Sequence, residues 1–183
     1  IDEPSAAQFP ALGRLVAYLR ERDPARLAYI NLFPDYASNE QLGTQGDLVI
    51  AYQEYLRRYR EQVKPALISY DHYQFALKGD NDQYFLNLAM IRRAAQTAGA
   101  PFLNIVQACT WTTNVMRIPN TNELRYLVYT TLAYGAQGIS YYVYAHPGHY
   151  GSIASLDGTP GPLYHALKGY NREFLAIARE LQP

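Results

Sequence analysis

What this chain has little of narrows it first. It carries one cysteine, Cys109, which excludes an internal disulfide and decides little about compartment. No apolar run approaches the roughly 20 residues needed to cross a bilayer, so no membrane is expected as a partner. Lys and Arg form no runs, and 16 basic residues balance 16 acidic ones, which favours no nucleic acid partner. The glycine loops that cradle phosphates in many doubly wound sheets are missing. Two histidines share the loop His146-Pro-Gly-His149, but there is no helix-borne histidine pair and no cysteine at ligand spacing. A zinc site needs more ligands and second-shell support, so neither a metal nor another cofactor is expected. Cys109 shows no positioned base or electropositive setting that would make it a nucleophile.

Tyrosine is the residue present in excess. There are 18, each a flat apolar face with a hydroxyl, suited to polar ring-shaped ligands and equally to core and helix packing. At 183 residues and 49% hydrophobic, the chain can bury a sizeable core, and one domain is expected.

Strand and helix patterns alternate. Ile1-Asp2-Glu3-Pro4 reads as the end of a buried strand delivering an acid to a pocket. A helix follows over about 6–22, with Phe9, Leu12, Leu15, Val16 and Leu19 at helical spacing, and Asp23-Pro24 stops it. Residues 27–33 read as a strand ended by Pro34. A polar loop then leads to a helix capped by Asp47, with Tyr52, Tyr55, Leu56, Tyr59 and Val63 on one face. Residues 66–70 form the next strand and run into Asp71-His72-Tyr73. A helix over about 82–98 stops at Gly99, and 101–106 is a strand ending at Gln107. Asn120 and Glu123 form a capping box for a helix to about 134. The last strand is 139–144, and a final helix covers about 163–181.

Strands alternating with helices imply a parallel sheet in an α/β protein. A doubly wound sheet and a (β/α)8 TIM barrel both fit. The missing phosphate loops and the polar or aromatic residue at every strand end favour the barrel. The chain would supply its last five β/α units, with 1–183 the C-terminal part of one barrel domain. The N-terminal units would precede Ile1, on the same polypeptide or a separate fragment.

Side chains alternate along a strand. If the pocket-end residues point inward, then Asn31 and Phe33, Ser69 and Asp71, Ile105 and Gln107, and Ser140, Tyr142 and Tyr144 do so together. Glu3, Asn31, Asp71, Gln107 and Tyr142 then surround one mouth. Two carboxylates across a pocket are the minimum kit for glycoside hydrolysis, one held protonated for the leaving sugar and the other attacking the sugar or activating water. Glu3 is the candidate acid and Asp71 its partner, while Asp2 points away and pins the local backbone. Phe33, Tyr36, Tyr73, Phe75, Trp111, Tyr142 and Tyr144 fall at or after strand ends, where aromatic faces stack on sugar rings. Trp111 is the foremost of these, and His146 is a candidate for hydrogen bonding to sugar.

At these residues the chain resembles the C-terminal half of a (β/α)8-barrel glycoside hydrolase of the large clan that includes family 42 β-galactosidases and cellulases. In that clan the acid/base glutamate ends the fourth strand, commonly as Asn-Glu-Pro, which Asp2-Glu3-Pro4 resembles. The run Tyr134-Gly-Ala-Gln-Gly-Ile-Ser-Tyr-Tyr-Val-Tyr144 is similar to the approach to strand eight, as is Asp157-Gly-Thr-Pro160 followed by Pro162-Leu-Tyr. The resemblance implies strands four to eight, a poly- or oligosaccharide substrate, and a secreted or periplasmic location.

One position departs from the pattern. The clan's nucleophilic glutamate ends strand seven, where this chain has Gln107. Glutamine can hydrogen-bond a hydroxyl but cannot attack. Three readings are open: Asp71 at the end of strand six serves instead, the glutamine is an engineered change, or the site is an inactive sugar binder. The first is preferred here because Tyr70-Asp71-His72-Tyr73 is dense in functional groups. In that reading Glu3 and Asp71 are catalytic. Asn31, Phe33, His72, Tyr73, Gln107, Trp111, Tyr142, Tyr144 and His146 bind substrate. The rivals are a carbohydrate-binding barrel without activity and a metal-dependent hydrolase or lyase centred on His146 and His149.

Overall fold

A computed structural model describes residues 1–181. It is an α/β structure with one parallel sheet of four strands in the order β1-β2-β3-β4. The strands are β1 (Asn31–Leu32), β2 (Ile68–His72), β3 (Phe102–Gln107) and β4 (Gly138–Tyr142). The helices are α1 (Phe9–Arg22), α2 (Asn39–Leu42), α3 (Leu48–Val63), α4 (Tyr84–Ala98), α5 (Thr121–Ala133) and α6 (Pro162–Leu181). The chain divides into two compact units. One is Ile1–Asp71 with Phe85–Leu103, and the other is His72–Tyr84 with residues from Asn104 onward.

The first unit rests on a helix pair. Phe9, Leu12 and Val16 are the buried side chains of α1, spaced three and four apart as a packed stripe requires. Leu15 and Leu19, expected on that stripe, are 43% and 41% exposed. The buried face of α3 includes all five expected residues, Tyr52, Tyr55, Leu56, Tyr59 and Val63. Phe9 packs between Tyr55 and Tyr59, with ring centroids 5.1 and 5.3 Å away. Gly13 makes that approach feasible: a Cβ there would lie 2.0 Å from the Gln62 carbonyl oxygen. Asp47 caps α3 by accepting from the Ile50 amide at 2.9 Å, the expected start.

The strands frame the candidate site. β1 pairs with β2 in parallel, Asn31 opposite Ser69 and Leu32 opposite Tyr70. All five β2 residues are buried, as a strand covered on both faces should be. The strand expected at the chain start is only a parallel bridge between Asp2 and Asn31. The polar loop before α3 contains an unforeseen helix, α2. Ser38 caps it in a box with Gln41, a Ser-x-x-Gln signal present in the sequence.

The second unit has its core where α5 meets α6. Val128, Leu132, Phe174 and Ala178 form it, with Ile139 and Tyr141 of β4 packed against it. Asn120 and Glu123 cap α5 reciprocally as expected. Tyr144, expected on β4, lies beyond it and is 53% exposed.

Candidate active site

In the first unit, strand alternation places three polar side chains on one side. Asn31 Nδ2 donates to Asp71 Oδ1 at 2.6 Å, and Ser69 Oγ donates to Asn31 Oδ1 at 2.9 Å. Asn31 Nδ2 also reaches Asp2 Oδ1 at 3.2 Å, so one amide ties two carboxylates. Asp2 is thereby tied to the side chain of β1. Asn31 and Asp71 are both buried.

Glu3 is held on a strained turn. Its φ is 44°, a left-handed value that costs a side-chain-bearing residue of order 1 kcal/mol. Backbone bonds on both sides hold it, Glu3 N to Asn31 O at 2.9 Å and Asn31 N to Ile1 O at 3.0 Å. Tyr55 adds a third restraint by donating its hydroxyl to Pro4 O at 2.8 Å. One helical turn earlier, Tyr52 donates to Phe33 O at 2.8 Å. Two tyrosines of α3 thus hold the segment after Glu3 and the end of β1.

The acids feel one another. Burial first, and then the charge of Glu3, push Asp71 up to about 7, against the pull of the Asn31 hydrogen bond. Glu3 is raised by burial and by neighbouring Asp2. The Glu3 charge thus adds to the burial that holds a proton on Asp71. A third acid was missed by the sequence reasoning. Asp35 follows β1, is 1% exposed, and is driven to about 7 by burial. Its amide donates to Asn87 Oδ1 at 3.2 Å. Its signal was an aspartate directly after the Phe33-Pro34 strand end. Phe33 is itself buried, its ring 6.5 Å from that of Tyr55.

In the second unit, the expected aromatics gather. Trp111 lies 5.0 Å from Tyr73, 5.3 Å from Tyr142 and 5.8 Å from His149 between ring centroids. Tyr142 Oη and His149 Nε2 are 3.1 Å apart, and His146 Nδ1 lies 3.0 Å from His149 Nδ1. His149 was expected only as part of the rival metal centre and not as a sugar-binding residue. His72 is fully buried, its ring edge-on to Tyr84 at 5.4 Å.

Gln107 has a different occupation from the expected contact with sugar. It is fully buried. Its Oε1 accepts from the Phe75 amide at 2.9 Å. Its Nε2 donates to the carbonyls of Arg117, Phe75 and Cys109 at 3.0, 3.3 and 3.3 Å. Both ends of the amide therefore fasten loops. Burial pushes the Cys109 thiol up to about 11, away from thiolate character. Among the described residues no group of three or more His, Cys, Asp or Glu converges as a metal site would need.

No family model and no curated protein matches the chain. Solved structures do. A protein from Bacteroides thetaiotaomicron VPI-5482, provisionally described as an alpha-L-fucosidase, superposes with a TM-score of 0.63 at 12% identity, over 94% of this chain and 54% of its own. The beta-galactosidase of the psychrophilic Marinomonas ef1 superposes with a TM-score of 0.62 at 14% identity, over 96% of this chain and 29% of its own. The chain thus spans about half of one neighbour and under a third of the other. At such identities the likeness is one of architecture, and the fold is glycoside hydrolase-like.

Proposed function

We propose that this chain is part of a glycoside hydrolase that cleaves a poly- or oligosaccharide by carboxylate acid–base catalysis. The observation that carries the reading is the pair Glu3, beside the Asp2–Asn31 bridge, and Asp71, near the end of β2: burial raises the proton affinity of both, and the Glu3 charge raises that of Asp71 further. The fold supports it by analogy, since fold alone does not fix function. In this reading the architecture is a (β/α)8 barrel of the clan that holds family 42 β-galactosidases. Its remaining units come from chain beyond these residues, and carbohydrate is the partner.

The competent form holds one proton across the pair. Glu3 is the less buried of the two, and substrate seated on it removes water and raises its proton affinity further. Glu3 then protonates the glycosidic oxygen, while Asp71 attacks the sugar or takes a proton from water. Asn31 steadies the Asp71 charge. Trp111, Tyr73 and Tyr142 stack on sugar rings, and His146 and Tyr144 supply polar and aromatic edges for hydroxyls. Activity should fall on the alkaline side near pH 7, where the pair loses its last proton.

The test is hydrolysis of a panel of aryl α- and β-glycosides by the complete protein, the remaining barrel units included, as wild type, Glu3→Gln and Asp71→Asn. Wild type should turn over at least one substrate, and each variant should lose about 10²-fold or more. Turnover that survives both substitutions, or no turnover on any substrate, would overturn the reading.

A further inference from the structure

A groove between α3 and α4 of the first unit takes no part in this chemistry, and its lining is cationic. Residues on each helix spaced by three, four and seven fall on one stripe. On α3 that stripe places Arg57 and Arg60 in the groove, and on α4 it places Arg93. Leu56, Met90 and Ala94 also line it, each of them buried. The cavity measures about 260 Å³ and no carboxylate lines it.

The three arginines are not equivalent. Arg57 is neutralised by its own helix, bonding Glu54 at 2.7 Å and also Glu61. Arg60 has a buried Nε that meets no acceptor, and among the described residues neither Arg60 nor Arg93 has an ion pair. A buried guanidinium N–H without an acceptor is costly. An oxyanion in the groove would pair with the guanidinium charge that no carboxylate of the lining neutralises. The planar fork of arginine matches two oxygens of a tetrahedral anion, and an apolar surround strengthens the attraction. The cavity is smaller than the roughly 300–1,000 Å³ of sites for drug-sized ligands, which suits a single compact anionic group.

We propose that the α3–α4 groove is a binding site for a phosphate group, with Arg60 and Arg93 donating to its oxygens and Arg57 forming the wall. Calorimetric titration of the full chain with inorganic phosphate tests it, at low ionic strength and again at about 0.15 M. Saturable binding at one site is expected, weaker at the higher salt. Arg60→Gln and Arg93→Gln should each weaken it about tenfold or more, and Arg57→Gln much less. Arg60→Lys keeps the charge but loses the fork, and should also bind more weakly. Arg93 is exposed, so its variant carries the test even if Arg60→Gln fails to fold. Parallel titrations with glucose 6-phosphate and with vesicles containing phosphatidic acid tell a soluble ester from a lipid headgroup. Absence of saturable binding to all three probes, or binding unchanged in both Arg60→Gln and Arg93→Gln, would overturn the proposal.

Discussion

Asp71 shows how much a single residue's surroundings decide. Its folded proton affinity is raised to about 7 from an ordinary 3.8. Between those values the folded chain binds more protons than the unfolded one, so stability falls as pH rises through that window and stays low above it. Asp71→Asn removes the effect. It should raise stability by of order 2–4 kcal/mol at pH 8, with no gain below about pH 3.8. Thermal melts of both proteins across pH check this, and an equal gain at every pH would contradict it. Gln107 gives the opposite case. Gln107→Glu would set a carboxylate against the three carbonyls that Nε2 now serves. It should lower stability by about 2–4 kcal/mol and give no gain in hydrolysis over wild type, read by melts and by the glycoside panel. The cluster of Asn31, Ser69 and Asp71 was legible from alternation along two strands. The bonds of Gln107 were not, because their partners lie in loops up to 32 residues away and carry no local pattern.

Elements were more legible than contacts. Period-3.6 stripes and end signals located α1, α3, α4, α5 and α6, because they arise from neighbours along one helix. The short α2 was overlooked although its capping box was visible, since four residues give no period. Nor can a sequence show that one side of a helix must be bare. Gly13 lies inside α1, where alanine would ordinarily favour the helix by about 1 kcal/mol. Here the added methyl meets the Gln62 carbonyl. Gly13→Ala should therefore destabilise by about 1–3 kcal/mol, seen as a lower urea midpoint. A higher midpoint would refute the account of the α1–α3 contact.

Across the whole molecule, the alternation of strand and helix carries the architecture at only 12–14% identity with the structures it matches. Tyrosine, suggestive of ligand stacking in the sequence, in part builds the interior. Tyr52, Tyr55, Tyr59, Tyr70 and Tyr84 are among the largest fully buried side chains, and two of them donate to the carbonyls of Phe33, just after β1, and Pro4, just after Glu3. The central claim is that Glu3 and Asp71 act as one coupled pair. The most direct test is a 13C NMR titration of the Asp71 carboxyl in wild type and in Glu3→Gln. The account predicts a midpoint near 7 in wild type that drops when the Glu3 charge is removed. A midpoint in the ordinary aspartate range, or one indifferent to Glu3→Gln, would contradict it.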